Sequence, residues 1–126
     1  MNLDYYIKNI ITSFLGLCIL AAIVKFAIFD PTEQQYENIG TIIGVIVIFL
    51  GIMGIGYINT KSAPENKVKQ HLFLHLALVI FLFLTDLIFG QSDFIVDILR
   101  NMSCFIALEL GAYFYFRTNR QKLLLN

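Results

Sequence analysis

Long apolar runs alternate with short polar breaks along the whole chain. Apolar residues dominate from about 10 to 29, 39 to 58, 72 to 89 and 94 to 116, and polar residues gather at 30–38, 59–70 and 90–93. Each run is long enough for an α-helix that crosses the roughly 30 Å hydrocarbon core of a bilayer. Segment 39–58 is the clearest, with twenty residues, no charge, and only Thr41 and the Tyr57 hydroxyl as distinctly polar groups. A soluble four-helix bundle needs a polar face on every helix, and this segment has none. The pattern predicts an all-α membrane protein of four transmembrane helices in two helical hairpins, one domain over residues 1–126. Asp30-Pro31 ends the first helix, because the residue before proline avoids the α region, and 90–93 is a tight turn closing the second hairpin. The first run is interrupted by Lys25 and no small-residue cleavage site follows it, so it reads as an uncleaved span rather than a secretory signal.

Composition sharpens this picture. The chain is 58% hydrophobic with a mean hydropathy of +0.75, and 14% of its residues are charged, where a soluble globule carries about a quarter. Nine basic and nine acidic residues cancel, so there is no basic surface for nucleic acid. Cys18 and Cys104 both lie inside apolar runs, which is not a disulfide framework. The cations fall at Lys8, at Lys61, Lys67 and Lys69, and at Arg117, Arg120 and Lys122, whereas 30–38 and 90–93 have none. By the positive-inside rule both termini and the middle segment are cytoplasmic (N-in/C-in), and a bacterial inner membrane is the expected location. Tyr5, Tyr6, Tyr57, Tyr113 and Tyr115 then form an aromatic belt at the cytoplasmic interface.

Two features of the runs invite a role. The first is a helix-packing face. Gly40, Gly44, Gly51 and Gly54 fall within about 80° of one another at about 100° per residue, while Gly56 points nearly the opposite way. Small residues let helix backbones approach closely in lipid, where little hydrophobic drive exists between helices.

The second is a set of intramembrane polar residues, costly in a bilayer and by default functional or paired. Folded into the predicted topology they form two layers. Lys25, Asp86, Asp97 and Arg100 lie near the outer ends of their spans, where Asp97 can meet Arg100 three residues on and Lys25 can reach Asp86 across helices. Glu109 lies deeper, roughly 12 Å inside the level of Arg117. It has no opposite charge within a turn, so either His75, which the hairpin places in the same half, supports it or it stays protonated. A structural hydrogen bond and a transport carboxyl are both open for this pair.

His71 and His75 are spaced as two ligands on one helix face. No cysteine is near, and the nearest carboxylate in sequence is Glu65, so no metal and no cofactor is expected. No phosphate-binding glycine loop, nucleophile–base set or paired carboxylates is present either, and an enzyme is not expected. The Asn101-Met102-Ser103 sequon falls inside a span and is read as accidental.

The N-terminus, Met1-Asn2-Leu3-Asp4-Tyr5-Tyr6-Ile7-Lys8-Asn9, resembles the start of immunity proteins that guard bacteria against their own pore-forming colicins, which open with Met-x-Leu-x-Tyr-Tyr-x-x-Asn. In that family a Tyr-Pro-x-x-Lys-like stretch follows the second apolar segment, and here Tyr57-Ile58-Asn59-Thr60-Lys61 stands there without the proline. The relatives are shorter and have three spans where this chain has four. The resemblance implies an inner-membrane protein that meets the colicin's helices laterally and blocks channel opening, with Tyr5, Tyr6 and Asn9 as motif residues. Two further function classes stand beside it. One is an accessory subunit of a membrane complex, or a small exporter working as an oligomer with Glu109 as its buried carboxyl. The other is a holin-like or stress-induced protein. All of them place the chain in a lipid bilayer, with a membrane-protein partner or self-association.

Overall fold

The structure, a computed structural model, describes residues 2–28, 37–64, 66–90 and 93–124. The Asp30-Pro31 break, the acidic stretch that follows it, Glu65 and the middle of the 90–93 turn lie outside these residues. The described chain is all-helical: α1 (Leu3–Ile23), extended by a turn of π-helix (Val24–Ile28), α2 (Glu37–Ser62), α3 (Lys67–Phe89) and α4 (Phe94–Leu124). Three apolar stretches, Leu3–Phe26, Ile39–Ser62 and Lys67–Phe89, are long and apolar enough to cross a membrane. The apolar run of α4, the longest helix at 31 residues, is broken by Asp97, Arg100 and Glu109.

Helices reach further than the apolar runs that nucleate them. α3 starts at Lys67 rather than near 72, and α1 at Leu3 rather than near 10. Asn66 sets the α3 start. It adopts a left-handed φ of 56°, which asparagine tolerates better than most residues, and its carbonyl accepts from the Lys69 and Gln70 amides. Lys67 Nζ turns back to donate to the Lys61 and Ala63 carbonyls at 3.0 and 2.8 Å, satisfying acceptors at the end of α2.

Cross-helix contacts fix the chain directions. Ser13 meets Asn59 and Gly16 meets Ile55, so α1 and α2 run antiparallel. Asp86 meets Asn101 and His75 meets Glu109, so α3 and α4 do too. Tyr6 with Gln70 and Phe14 with Phe81 make α1 parallel to α3. The core of Ile52, Leu78, Cys104, Ala107 and Leu108 joins α2, α3 and α4 at mid-height. A smaller cluster of Tyr5, Ala63 and Leu74 closes one end.

The bundle is inside-out relative to a soluble one. On α1 the buried residues are Tyr5, Asn9 and Ser13, a polar row at four-residue spacing. Its exposed ridge is Leu3, Ile7, Ile11, Leu15, Ile19 and Ile23, each 50–61% accessible. Polar groups that bond to one another inside and an apolar ridge outside are what a hydrocarbon solvent favours. Exposed Leu, Ile and Phe side chains continue over α2 and α3.

The closest helix approach is between α2 and α4. A Cβ on Gly56 would overlap the Leu108 backbone, and one on Gly111 would overlap the Met53 carbonyl and the Tyr57 amide. Both positions need glycine for that reason. The four glycines of the predicted face have separate fates. Gly44 is buried and Gly40 half-buried. A Cβ on Gly51 would meet only the end of the Leu20 side chain, and one on Gly54 would meet nothing within 4 Å.

Candidate functional site

Two polar clusters lie inside the bundle, on either side of the mid-height core. The first joins α3 to the start of α4. Arg100 Nη2 lies 2.8 Å from Asp86 Oδ2 and 2.8 Å from Asp97 Oδ1, three residues back on its own helix. Asn101 Nδ2 donates to Asp86 Oδ2 and to the Asp97 carbonyl, both at 2.8 Å. Asp86 thus takes Arg100 and Asn101 rather than Lys25, whose ammonium sits 5.9 Å from the Phe26 ring centroid. Arg100 lies on α4, which runs antiparallel beside α3 at Asp86, whereas Lys25 lies in the π-helical turn that follows α1. Asp97 and Asn101 are buried and both carboxylates are paired, while Arg100 keeps 53% of its side-chain surface accessible.

The second cluster is at the opposite end of the same hairpin. His71 and His75 lie one turn apart on α3, with rings 5.4 Å apart. Glu109 of α4 points between them: its Oε1 is 2.8 Å from His75 Nδ1 and its Oε2 is 3.4 Å from His71 Nε2. His71 Nδ1 donates to the Lys67 carbonyl at 2.6 Å, and its ring packs on Phe116. His75 is fully buried, while the Glu109 side chain keeps 30% of its surface accessible. The other His75 nitrogen, Nε2, is buried without a hydrogen-bond partner among the described residues. The antiparallel register of α3 and α4 thus brings a carboxylate 34 residues away in sequence onto a histidine pair that already shares one helix face.

A third polar group ties α1 to the end of α2. The Tyr5 hydroxyl donates to the Asn59 carbonyl at 2.7 Å, and the Asn59 amide donates to Ser13 Oγ at 3.0 Å. Asn9 Nδ2 donates to the Tyr5 carbonyl, and Tyr6 bonds to Gln70. Of the motif residues, Tyr5 and Tyr6 therefore fasten α1 to α2 and α3, whereas the Asn9 bond stays within α1.

Among the residues that sequence reasoning did not single out, Asn59, Ser13 and Asn101 prove to be buried bonding groups. Their signal was a polar side chain within an apolar helix. His71 was visible as the partner of His75 at four residues' spacing. Comparison with protein-family models, with curated proteins and with solved structures gave no match.

Proposed function

We propose that this chain is a four-span integral membrane protein, of a bacterial inner membrane, that works without catalysis through lateral helix contacts with a membrane partner. Protection against a pore-forming bacteriocin is the form of this role that the N-terminal resemblance suggests. The observation that carries the reading is Gly54. The bundle fills the approaches to Gly51, Gly56 and Gly111, yet leaves open space over Gly54. On the same face α2 exposes Ile43, Leu50 and Ile58. A glycine on an apolar, outward-facing helix surface lets a foreign helix approach closely within the bilayer. Tyr5 and Tyr6 serve this role indirectly, by holding α1 against α2 and α3.

The test is protection. Sensitive bacteria expressing the protein are challenged with a panel of pore-forming colicins. Selective survival against one colicin is expected, with loss of survival in Gly54→Leu at unchanged protein level. Killing by every colicin removes the immunity role, and survival unaffected by Gly54→Leu removes the lateral contact at that face.

A second reading is favoured by Glu109, a carboxylate held by two histidines and still partly open. In an oligomeric exporter it would be the cargo-binding carboxyl. That reading expects Glu109→Gln to abolish resistance in a drug-sensitivity screen and Gly54→Leu to leave it intact.

A further inference from the structure

The contacts of His71 call for a proton or a metal ion between it and Glu109. A carbonyl oxygen can only accept, so the 2.6 Å contact to the Lys67 carbonyl places the His71 proton on Nδ1. In a neutral ring Nε2 then presents a lone pair, and it faces Glu109 Oε2, another acceptor, at 3.4 Å. A proton on His71 Nε2, a proton on Glu109 Oε2 or a metal ion resolves that contact. Five observations favour the metal.

Metal-ligating histidines characteristically donate their other ring N–H to a carbonyl or carboxylate, which fixes the tautomer and aims the free nitrogen; His71 does so through Lys67. Two histidines at four residues' spacing put both rings on one face, the arrangement of helical zinc sites. The donor atoms of His71, His75 and Glu109 all lie within 4.8 Å of one another. The 3.4 Å separation of His71 Nε2 from Glu109 Oε2 is close to the edge of a tetrahedron with bonds of about 2.0–2.1 Å. Finally, His75 Nε2 has no partner whether it is an N–H or a lone pair, so a metal on Nδ1 creates no new unsatisfied group. Protonating that ring would instead bury a cation with one N–H unpartnered.

We propose that His71, His75 and Glu109 form a binding site for a divalent transition-metal ion of the zinc class, bridging α3 and α4. Two imidazole nitrogens and a carboxylate suit such an ion better than calcium or magnesium, which prefer all-oxygen shells, or copper(I), which prefers sulfur. Three protein donors leave a fourth position on the accessible side of Glu109, open to water or to a donor from another molecule. The site lies within two turns of the start of α3, so an ion reaches it from that end without crossing the apolar core. The proposal stands on this geometry and does not depend on the lateral-contact reading.

The full-length protein, purified in detergent with its affinity tag removed and stripped with chelator, is titrated with cobalt(II), a spectroscopic probe for zinc sites. One cobalt per chain is expected, with the intense visible absorption of four-coordinate cobalt, abolished by added zinc. Glu109→Gln and His71→Gln are each expected to weaken binding by more than about a hundredfold, beyond the 10–100-fold typical of changes to outer-shell partners. The Glu109 side chain is partly accessible and that of His71 is buried, so circular dichroism checks that both variants stay helical. The wild-type spectrum decides independently of any variant. Absence of four-coordinate absorption up to about 1 mM cobalt, or wild-type affinity in both variants, overturns the proposal.

Discussion

Asn59 fastens α1 with two different atoms. Its side-chain amide meets Ser13, and its backbone carbonyl accepts the Tyr5 hydroxyl. Replacing the side chain therefore breaks only one of the two links. Interhelical hydrogen bonds in membranes are worth about 0.6 kcal/mol on average and up to about 1.7 kcal/mol. Asn59→Leu is expected to cost about 1 kcal/mol in reversible unfolding from mixed micelles. A double-mutant cycle with Ser13→Ala should recover most of that as coupling, and additive losses would show that the two side chains act separately. The sequence placed Tyr5 and Tyr6 near an interface and paired His75 with Glu109 as one option. It could not show that the Tyr5 hydroxyl turns inward, because its acceptor lies 54 residues away. Likewise the nearest carboxylate to the two histidines along the chain is Glu65, whereas the nearest in space is Glu109, which only the register of α3 on α4 reveals.

Between elements, the α2–α4 contact carries the strictest steric demand. Alanine is a better helix former than glycine by about 1 kcal/mol, so a glycine-to-alanine change in an unopposed helix stabilises. At Gly56 and Gly111 an added Cβ would run into backbone of the partner helix, which cannot rotate away as a side chain can. Each change there is expected to destabilise by about 1–3 kcal/mol, the usual cost of overpacking, while Gly54→Ala is neutral or stabilising. Thermal unfolding followed by circular dichroism separates these outcomes, and a stabilising Gly56→Ala would mean that α2 and α4 sit further apart. The apolar runs announced all four helices, since run length needs no knowledge of partners. Which glycines touch a neighbour was not legible from α2 alone. The face with four glycines is the richer one, but the facing backbone of α4 selects Gly56.

For the whole molecule, the proposed four-span topology can be set against packing and charge. The α1 ridge from Leu3 to Ile23 is about 30 Å long at 1.5 Å per residue, the thickness of a hydrocarbon core. The chain directions gather Lys61, Lys67 and Lys69 at the end of the bundle that also holds Tyr115, whose ring lies 5.6 Å from Lys67 Nζ. Arg117 and Arg120 follow directly on α4. The opposite end holds Asp86, Asp97 and Arg100, which neutralise one another in part. On the proposed four-span topology the positive-inside rule would turn the lysine-rich end to the cytoplasm. The helix in question is α4, whose apolar run is the one broken by charge. Asp97 is buried and pairs with the exposed Arg100, and Glu109 faces two histidines, so the groups that interrupt the run are paired, and on the proposed topology α4 crosses with the others. Single cysteines introduced at Lys69, Asp93 and Arg120, with Cys18 and Cys104 replaced by alanine, test this with a membrane-impermeant maleimide. Labelling at position 93 in intact cells, and at 69 and 120 only after lysis, is expected of four spans. Labelling at both 93 and 120 in intact cells would leave α4 outside the bilayer, and labelling at 69 alone would invert the protein.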